Sequence, residues 1–300
     1  HFSFNLTKRL CCLAPLHTVT AVMSLFIPII FDTTVIMLPQ KKNEAFLSFL
    51  SRIKEQQPTQ IQAGPVFIKL IANYAEKIEG FFAGVCIITS AGGPLSLLDK
   101  IQVEKIHPLK VINSYGATEL LGTVLTSPLK AQKSGVGLSH IKGLKTQLIP
   151  IEGTNDQYQL ACKVPNLYLG YLGEKLEKKV IYYTGDIVKL DEDGNYLFIG
   201  RMNKKFKGKN EEWVFPGLLE QWLKKQNFVI DAQVKVKIKE NLTSLCVLIE
   251  GEISNFSQWH SELTLKIKDE LGVEYTDINT WEQKKIHRNL FGKLLKQSAS

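Results

Sequence analysis

The sequence predicts an α/β fold: a large domain, with a mostly parallel sheet plus a small β unit, over residues 1–200, then a small α+β C-terminal domain over 201–300. Three observations predict it. Between about residues 34 and 117, apolar strand-like runs alternate with segments of helical periodicity, the pattern of a parallel sheet whose strand ends carry functional loops. From about residue 135, short segments are separated by Gly, Asn and Asp, as in small antiparallel units. After Gly200-Arg201 the chain turns lysine-rich and then resumes a compact mixture of helix and strand patterns. Its 300 residues suffice for two domains.

Taken in order, residues 9–40 read as a buried segment followed by the strand "TTVIMLP". In "NEAFLSFLSRIKEQ", Phe46, Phe49, Leu50 and Ile53 fall at helical spacing. "PTQIQAGP" is a short strand that turns at Gly64-Pro65, and "VFIKLIANYAEKI" is a helix. "GVCIITSAGGPLS" and "LKVINSYGATE" are two strands that break into polar turns. In "DEDGN" (191–195), Asp-Gly tolerates the positive φ of a tight hairpin. Beyond residue 203, "PGLLEQWLKK" is a helix, and "AQVKVKIKE" sets Val234, Val236 and Ile238 against lysines, ready to pair with "SLCVLIEG". Phe256, Trp259, Leu263, Ile267 and Leu271 form one stripe ahead of a Gly272 C-cap.

Composition places the chain among ordinary globular proteins, at 44% hydrophobic, 22% charged and a mean hydropathy of −0.03. Net charge is +8, shared evenly as +4 for residues 1–200 and +4 for 201–300. Such a balance suits anionic ligands, such as nucleotides, CoA or an acidic partner, although solvated lysine faces are the plainer reading of any single cluster. Nucleic acid is disfavoured, because no aromatic platform interleaves the lysines of "MNKKFKGK". The five cysteines and six histidines show no metal-ligand spacing, and most of the cysteines lie in apolar runs, as buried thiols of a cytoplasmic protein would. The apolar run 19–31 is interrupted by Pro28 and is too short to span a bilayer.

Chemistry concentrates where apolar runs stop. "NSYGATEL" (113–120) ends a strand in hydroxyls, bare backbone and a carboxylate. "SAGGPL" offers Ala91, Gly92 and Gly93, whose backbone a flat ring could approach closely. Asp186 in "TGD" suits a pair of hydroxyl donors, or it caps its own turn. Tyr115 alone would more often be core, and a lone terminal lysine such as Lys293 would normally be solvated.

Together, "NSYGATEL", "YYTGDIVKLDEDGNYLFIGR" (182–201) and "KKIHRNLFGKLLK" (284–296) resemble the adenylate-forming, AMP-binding enzyme superfamily, most of all its acyl- and aryl-CoA synthetases. Weaker matches at "CCLAPLHTVTAV", "PTQIQAGPVFIKLI", "IITSAGGPLS" and "PNLYLGYL" keep the family's order, so the resemblance runs from about residue 9 to 296. It implies ATP-dependent activation of a small carboxylic acid as an acyl-adenylate, then transfer to the thiol of CoA or of the phosphopantetheine on an acyl carrier protein. It implies that Ala91, Gly92, Gly93, Ser114, Tyr115 and Gly116 surround the adenine side of ATP or AMP, with Tyr115 against the ring. Thr118 is implied to meet a phosphate, Glu119 to hold Mg²⁺, Asp186 to accept from the ribose hydroxyls and Arg201 to reach the nucleotide. Lys293 is implied to bridge the carboxylate and α-phosphate as charge builds. His17 falls near the family's acid pocket, although a satisfied core histidine is an equal reading, and Asn203 falls at the interdomain hinge.

Two departures accompany the resemblance. The family's phosphate loop, a Ser/Thr/Gly-rich run ending in Pro-Lys, has no equivalent in the 300 residues. "FKGKNEEWVFPGLLE" (206–220) is one residue longer than the family loop along the pantetheine path, which displaces its glycine, Gly208. The expectation is therefore a fragment or one half of a split ligase, with a separate N-terminal half as partner. The alternative is a non-catalytic remnant that binds an adenylate or acyl group.

Overall fold

The computed structural model describes residues 8–38, 41, 44–78, 80–127, 137–141, 143–154, 156–165, 167–207, 213–224, 226, 229–239, 242–251 and short pieces between 253 and 286. Its first part is β1 (Arg9–Cys12), α1 (Val19–Ser24), α2 (Ile27–Ile30), β2 (Thr34–Met37), α3 (Phe46–Glu55), β3 (Gln60–Ala63), α4 (Pro65–Asn73), β4 (Ile87–Ala91), α5 (Leu97–Ile106), β5 (Lys110–Ala117), β6 (Gly122–Thr126) and β7 (Ser139–His140). These strands make a seven-stranded sheet in the order β2-β1-β3-β4-β5-β6-β7. The pairs from β2 to β5 are parallel, and β6 and β7 run antiparallel. The C-terminal ends of β1, β3, β4 and β5 therefore line one edge of the sheet.

The helical spacing read from the sequence does pack a core. Phe49, Leu50 and Ile53 of α3, Phe67, Ile68 and Ile71 of α4 and Val103 of α5 bury against Cys11, Ile61, Ile88 and Val111 of the strands. Each such side chain contributes about 1.5–3 kcal/mol relative to exposure. The expected burial of the segment within residues 9–40 holds for β1 and for Leu13, Ala14, Thr33 and Leu38, but for little of what lies between. In α1 only Ala21 and Ser24 are buried, while Met23, Leu25, Phe26, Ile29 and Ile30 are exposed. Two apolar helices of six and four residues have more apolar surface than one sheet edge can cover. Four cysteines are buried as expected, but Cys86 is exposed just ahead of β4.

The small β unit is also present. β8 (Lys145–Pro150), β9 (Tyr158–Lys163), β10 (Tyr182–Leu190) and β11 (Tyr196–Arg201) form a four-stranded antiparallel sheet. The Asp191 carboxylate accepts from the backbone amides of Asp193 and Asn195, and Gly194 takes φ +76°, so "DEDGN" is the hairpin turn. Then follow the hairpin β12 (Phe206–Lys207) and β13 (Trp213–Val214), α6 (Pro216–Leu223), β14 (Val229–Lys239), β15 (Leu242–Gly251) and β16 (Ile278–Gln283). β14 pairs with β15 as expected, with Val234 opposite Val247, and β16 adds in parallel to β15. Leu263 and Ile267 are buried with α6 against this sheet, whereas Phe256, Leu271 and Gly272 lie outside the described residues.

One glycine is fixed by close approach. A Cβ on Gly116 would lie 1.9 Å from the carbonyl oxygen of Gly122, backbone that faces it across the β5–β6 pair. Neither strand can yield without opening the ladder. Gly116→Ala is therefore expected to destabilise the fold by about 1–3 kcal/mol, the scale of overpacking, read as a lower urea midpoint with unchanged m-value. An unchanged midpoint would show that the hairpin moves freely.

Candidate functional site

The site is assembled where β4 and β5 end. Ala91 pairs with Ser114, so the two polar turns that follow leave the sheet side by side. Gly92 takes φ +88° and a Cβ there would meet nothing within 4 Å, so its glycine serves the left-handed turn rather than clearance in the chain itself. Gly92 and Gly93 are both exposed. The hydroxyls of Ser90 and Ser114, on neighbouring strands, are buried without a hydrogen-bond partner among the described residues. Ser90 carried no signal in the sequence beyond its place before Ala91.

Asp186 is brought to this edge from the other sheet. Gly185 takes φ +71°, and the β9–β10 register slips between Tyr183 and Ile187, a bulge that re-aims the next side chain. The Thr184 hydroxyl accepts from the Asp186 amide at 3.0 Å and donates to the Leu160 carbonyl. The carboxylate is thereby released from capping its own turn. Its side chain is 5% exposed, and Oδ2 accepts from the Tyr115 hydroxyl at 2.5 Å. Arg201 Nε lies 2.6 Å from Oδ1, across from Asp186 in the β10–β11 register. That contact is one of charge, because Oδ1 has no aligned hydrogen bond among the described residues. Burial raises the Asp186 pKa, with the Tyr115 hydrogen bond and the Arg201 charge opposing it. Tyr115 is half-buried and packs on the cluster of Leu120, Val124 and Leu160, and burial beside Asp186 holds its phenol protonated.

Thr118 opens a single 3₁₀ turn, Thr118–Leu120, with its side chain exposed, and Glu119 is half-buried behind it. No role for the groups around Glu119 was legible from the residues alone. Tyr171 donates its hydroxyl to Glu119 Oε1 at 2.5 Å, and the Tyr168 amide donates to the Glu119 carbonyl. Tyr168 stacks at an angle on both Tyr171 and Tyr182, and Lys179 Nζ sits 4.1 Å above the Tyr168 ring. Partial burial works against ionisation of Glu119, but the hydrogen bond from Tyr171, backbone and Tyr182 hydrogen bonds and the Arg201 charge outweigh it and lower its pKa. The quoted "PNLYLGYL" was the only trace of this arrangement.

The other expected residues stand apart. His17 is exposed in the turn after β1, on the same sheet edge, so the core-histidine reading does not hold. Asn203 is exposed in the 3₁₀ turn Met202–Lys204 that follows β11. Lys293 and Gly208 lie outside the described residues. Among the described residues no cluster of three or more His, Cys, Asp or Glu could hold a metal, so Glu119 stands as a single carboxylate. No described helix is long and apolar enough to cross a membrane.

With this geometry in hand, comparison with known proteins defines the class. The family model for the AMP-binding enzyme matches residues 1–157, and the chain belongs to that family. It is 26% identical over 213 residues to a luciferin 4-monooxygenase of Luciola mingrelica, covering 67% of this chain and 38% of that protein. It is 32% identical over 137 residues to a probable 4-coumarate–CoA ligase of Dictyostelium discoideum, covering 42% and 25%. The fold superimposes on o-succinylbenzoate CoA synthetase from Bacillus subtilis, in complex with its acyl-adenylate, at TM-score 0.77 and 19% identity, over 98% of this chain and 62% of that one. For a benzoate CoA ligase from Burkholderia xenovorans the values are 0.79 and 18%, over 96% and 60%. The chain thus spans about two-fifths of the length of that luciferin 4-monooxygenase and three-fifths of that benzoate CoA ligase.

Removing the Tyr171 hydroxyl should move the Glu119 titration. The hydrogen bond lowers the carboxyl pKa, so Tyr171→Phe is expected to raise it. The sign for stability follows: a depressed carboxyl pKa stabilises above its unfolded value and that contribution fades as pH falls. The variant should lose less stability on acidification than the parent. A carbon-13 carboxyl titration checks this, and an unmoved Glu119 midpoint would mean the contact does not persist in solution.

Proposed function

We propose that the chain activates a small carboxylic acid with ATP and passes it to a pantetheine thiol, as an acyl- or aryl-CoA synthetase-like ligase. A carboxylate oxygen attacks the α-phosphorus of ATP, the bond to the β-phosphate breaks and pyrophosphate leaves. A thiolate then attacks the acyl carbon of the adenylate, and AMP leaves with the bonding pair. The observation that carries the reading is Asp186: a buried carboxylate with Oδ1 lacking any aligned donor, at the end of two strands whose turns present Gly92, Gly93, Tyr115 and Thr118. Two vicinal hydroxyls of a ribose supply the donors that Oδ1 lacks.

Each remaining role follows from the same reading. Tyr115, anchored through its hydroxyl, presents a ring face to adenine, and Gly92 leaves the backbone bare beside it. Arg201, half-exposed with its Nε on Asp186, reaches phosphate or ribose. Glu119, kept ionised, fits a divalent cation that retains water and phosphate ligands; Mg²⁺ bound there would neutralise phosphate charge. His17 borders the acid, at the end of β1. We take residues 1–200 and 201–300 as two domains turning about Asn203, so that Lys293 serves adenylation and leaves before thiol transfer. Of the lysines near the presumed thiol path, Lys204 is exposed, while Lys205 is drawn over the Trp213 ring at 3.7 Å. Free CoA is favoured slightly over a carrier protein, and a cytoplasmic setting agrees with the four buried thiols.

Calorimetry with AMP tests the central claim. Asp186→Ala is expected to weaken AMP by roughly 1.5–3 kcal/mol, the scale of a hydrogen bond to a charged group. Equal AMP affinity in a folded variant would reduce Asp186 to a link between sheets, and absence of AMP binding by the parent would favour a chain that takes no nucleotide.

Lys293 separates the half-reactions. With the phosphate-loop part of a ligase supplied, Lys293→Ala should slow adenylate formation by about 10²–10³-fold, as for loss of one preorganised charge-stabilising donor. Transfer from preformed acyl-adenylate to the thiol should suffer much less. Equal losses in both steps would make Lys293 a structural residue, and no loss in either would favour the non-catalytic remnant.

A further inference from the structure

A lysine on the rim of an amphipathic helix normally extends into water. Helix α4 buries Phe67, Ile68 and Ile71, and Lys69 stands beside that buried face. Its side chain does not extend into water. It is half-buried, and its Nζ donates to the Ile230 carbonyl of β14, 161 positions along the chain. The contact thus joins residues 1–200 to residues 201–300.

The charges around Lys69 come from both parts. Burial pushes its amine pKa down; Asp231 and Asp99 oppose this, Lys224 adds to it and Glu250 opposes it. Asp99 lies in the first turn of α5, which packs on α4. Its carboxyl pKa is raised by burial, against the Lys69 charge and a hydrogen bond with Ser96. Asp231 and Glu250 stand opposite each other in the β14–β15 ladder. Asp231 is fixed within its own part, since Oδ1 takes Lys224 Nζ at 2.9 Å and the Ala232 amide at 2.8 Å, with the side chain 13% exposed. Without Lys69, the three carboxylates would meet with only Lys224 among these groups to balance them. Like charges at such a boundary push its two sides apart.

The other links between the parts are made soon after Asn203. Trp213 donates to the Glu152 carbonyl, and Phe215 buries with Ile187 and Ile199. The Lys69 contact comes beyond α6, so a turn about Asn203 has to break it as a separate event. We propose that Lys69 is an electrostatic latch: with Asp99 on one side and Asp231 on the other, it holds β14 against α4, and the two parts turn only once it lets go. The proposal rests on the two-part reading above for the motion that is restrained, and it adds the residues that restrain it.

The test measures the distance between the parts by double electron–electron resonance. One spin label goes on Cys86, which is exposed while the other four cysteines are buried. The second goes on β14 through Lys235→Cys, at an exposed position. The parent should show one distance at low salt. Lys69→Glu should cut the population at that distance, relative to other distances, by at least about tenfold, as like-charge repulsion at an interface allows. Combining Lys69→Glu with Asp231→Lys should return most of it, and Lys77→Glu, at an exposed lysine of the same part, should change nothing. Circular dichroism checks folding. If Lys69→Glu does not fold, Lys69→Met and the parent at about 1 M salt, which screens such charges, should each broaden the distribution. An unmoved distance, equal release by Lys77→Glu or a swapped pair as open as Lys69→Glu would each overturn the latch. AMP calorimetry on the same preparations keeps the two readings distinct. AMP binding with an unmoved distance sinks the latch alone, and release without AMP binding by any preparation sinks the nucleotide reading alone.

Discussion

The arrangement depends on one buried carboxylate. Asp186 belongs to the antiparallel sheet, its hydroxyl donor Tyr115 to the parallel one, and its cation Arg201 to the next strand of its own sheet. Removing the Tyr115 hydroxyl would leave a buried carboxylate oxygen without its donor, a loss of about 1–3 kcal/mol, whereas the half-exposed Arg201 is screened by solvent and contributes less. The contact therefore fixes how the two sheets meet, and with it the distance between the strand-end turns and the carboxylate. It is also under-satisfied. Tyr115 fills one oxygen and Arg201 touches the other without aligning to it, so folding leaves an acceptor in reserve.

Around Glu119 the same economy of groups appears with opposite effect. Asp186 is pushed towards its neutral form by burial, while Glu119, in the turn after β5, is pulled towards its ionised form by a tyrosine hydroxyl and nearby charge. Two carboxyls within one site are thus biased apart. Tyr171 is half-exposed, in the irregular stretch between β9 and β10, so the group that tunes Glu119 lies on a segment free of sheet constraints. The Tyr168–Tyr182 edge contact ties that segment to β10 near the bulge that aims Asp186. Glu119 and Asp186 are consequently positioned through neighbouring parts of one strand.

The sequence was most legible where period and punctuation agree. Helix α3, the turn at "DEDGN" and the pairing of β14 with β15 follow from spacing and punctuation, because apolar residues recur on one side of each element. The turns after β4 and β5 were legible as polar endings, and their joint meaning came from the order of motifs. Long-range contacts were not legible. Nothing in "PNLYLGYL" shows that Tyr171 reaches Glu119 52 positions away, and nothing in "SYG" shows that Gly116 is required by Gly122. The largest misreading, burial across the segment within residues 9–40, has a plain cause: apolar composition reports what a segment avoids, and not what packs against it.

That distinction also bears on the proposed hinge. Asn203 lies in a turn flanked by apolar contacts rather than in a free linker. Ile187 and Ile199 from the antiparallel sheet and Ile151 just after β8 bury together with Phe215, and Leu218 of α6 packs on them. A Cβ on Gly217 would come within 3.1 Å of the Ile199 carbonyl, so α6 sits close on β11. Farther out, Lys69 of α4 donates to the Ile230 carbonyl of β14, and Trp213 donates to the Glu152 carbonyl. Rotation about Asn203 would separate these groups and expose part of that cluster, at about 25 cal/mol for each Å² of apolar surface returned to water. A second orientation can be populated only where other contacts offset this exposure. A group bound between the two parts would then bias that equilibrium, and could shift it only by its difference in affinity for the two orientations.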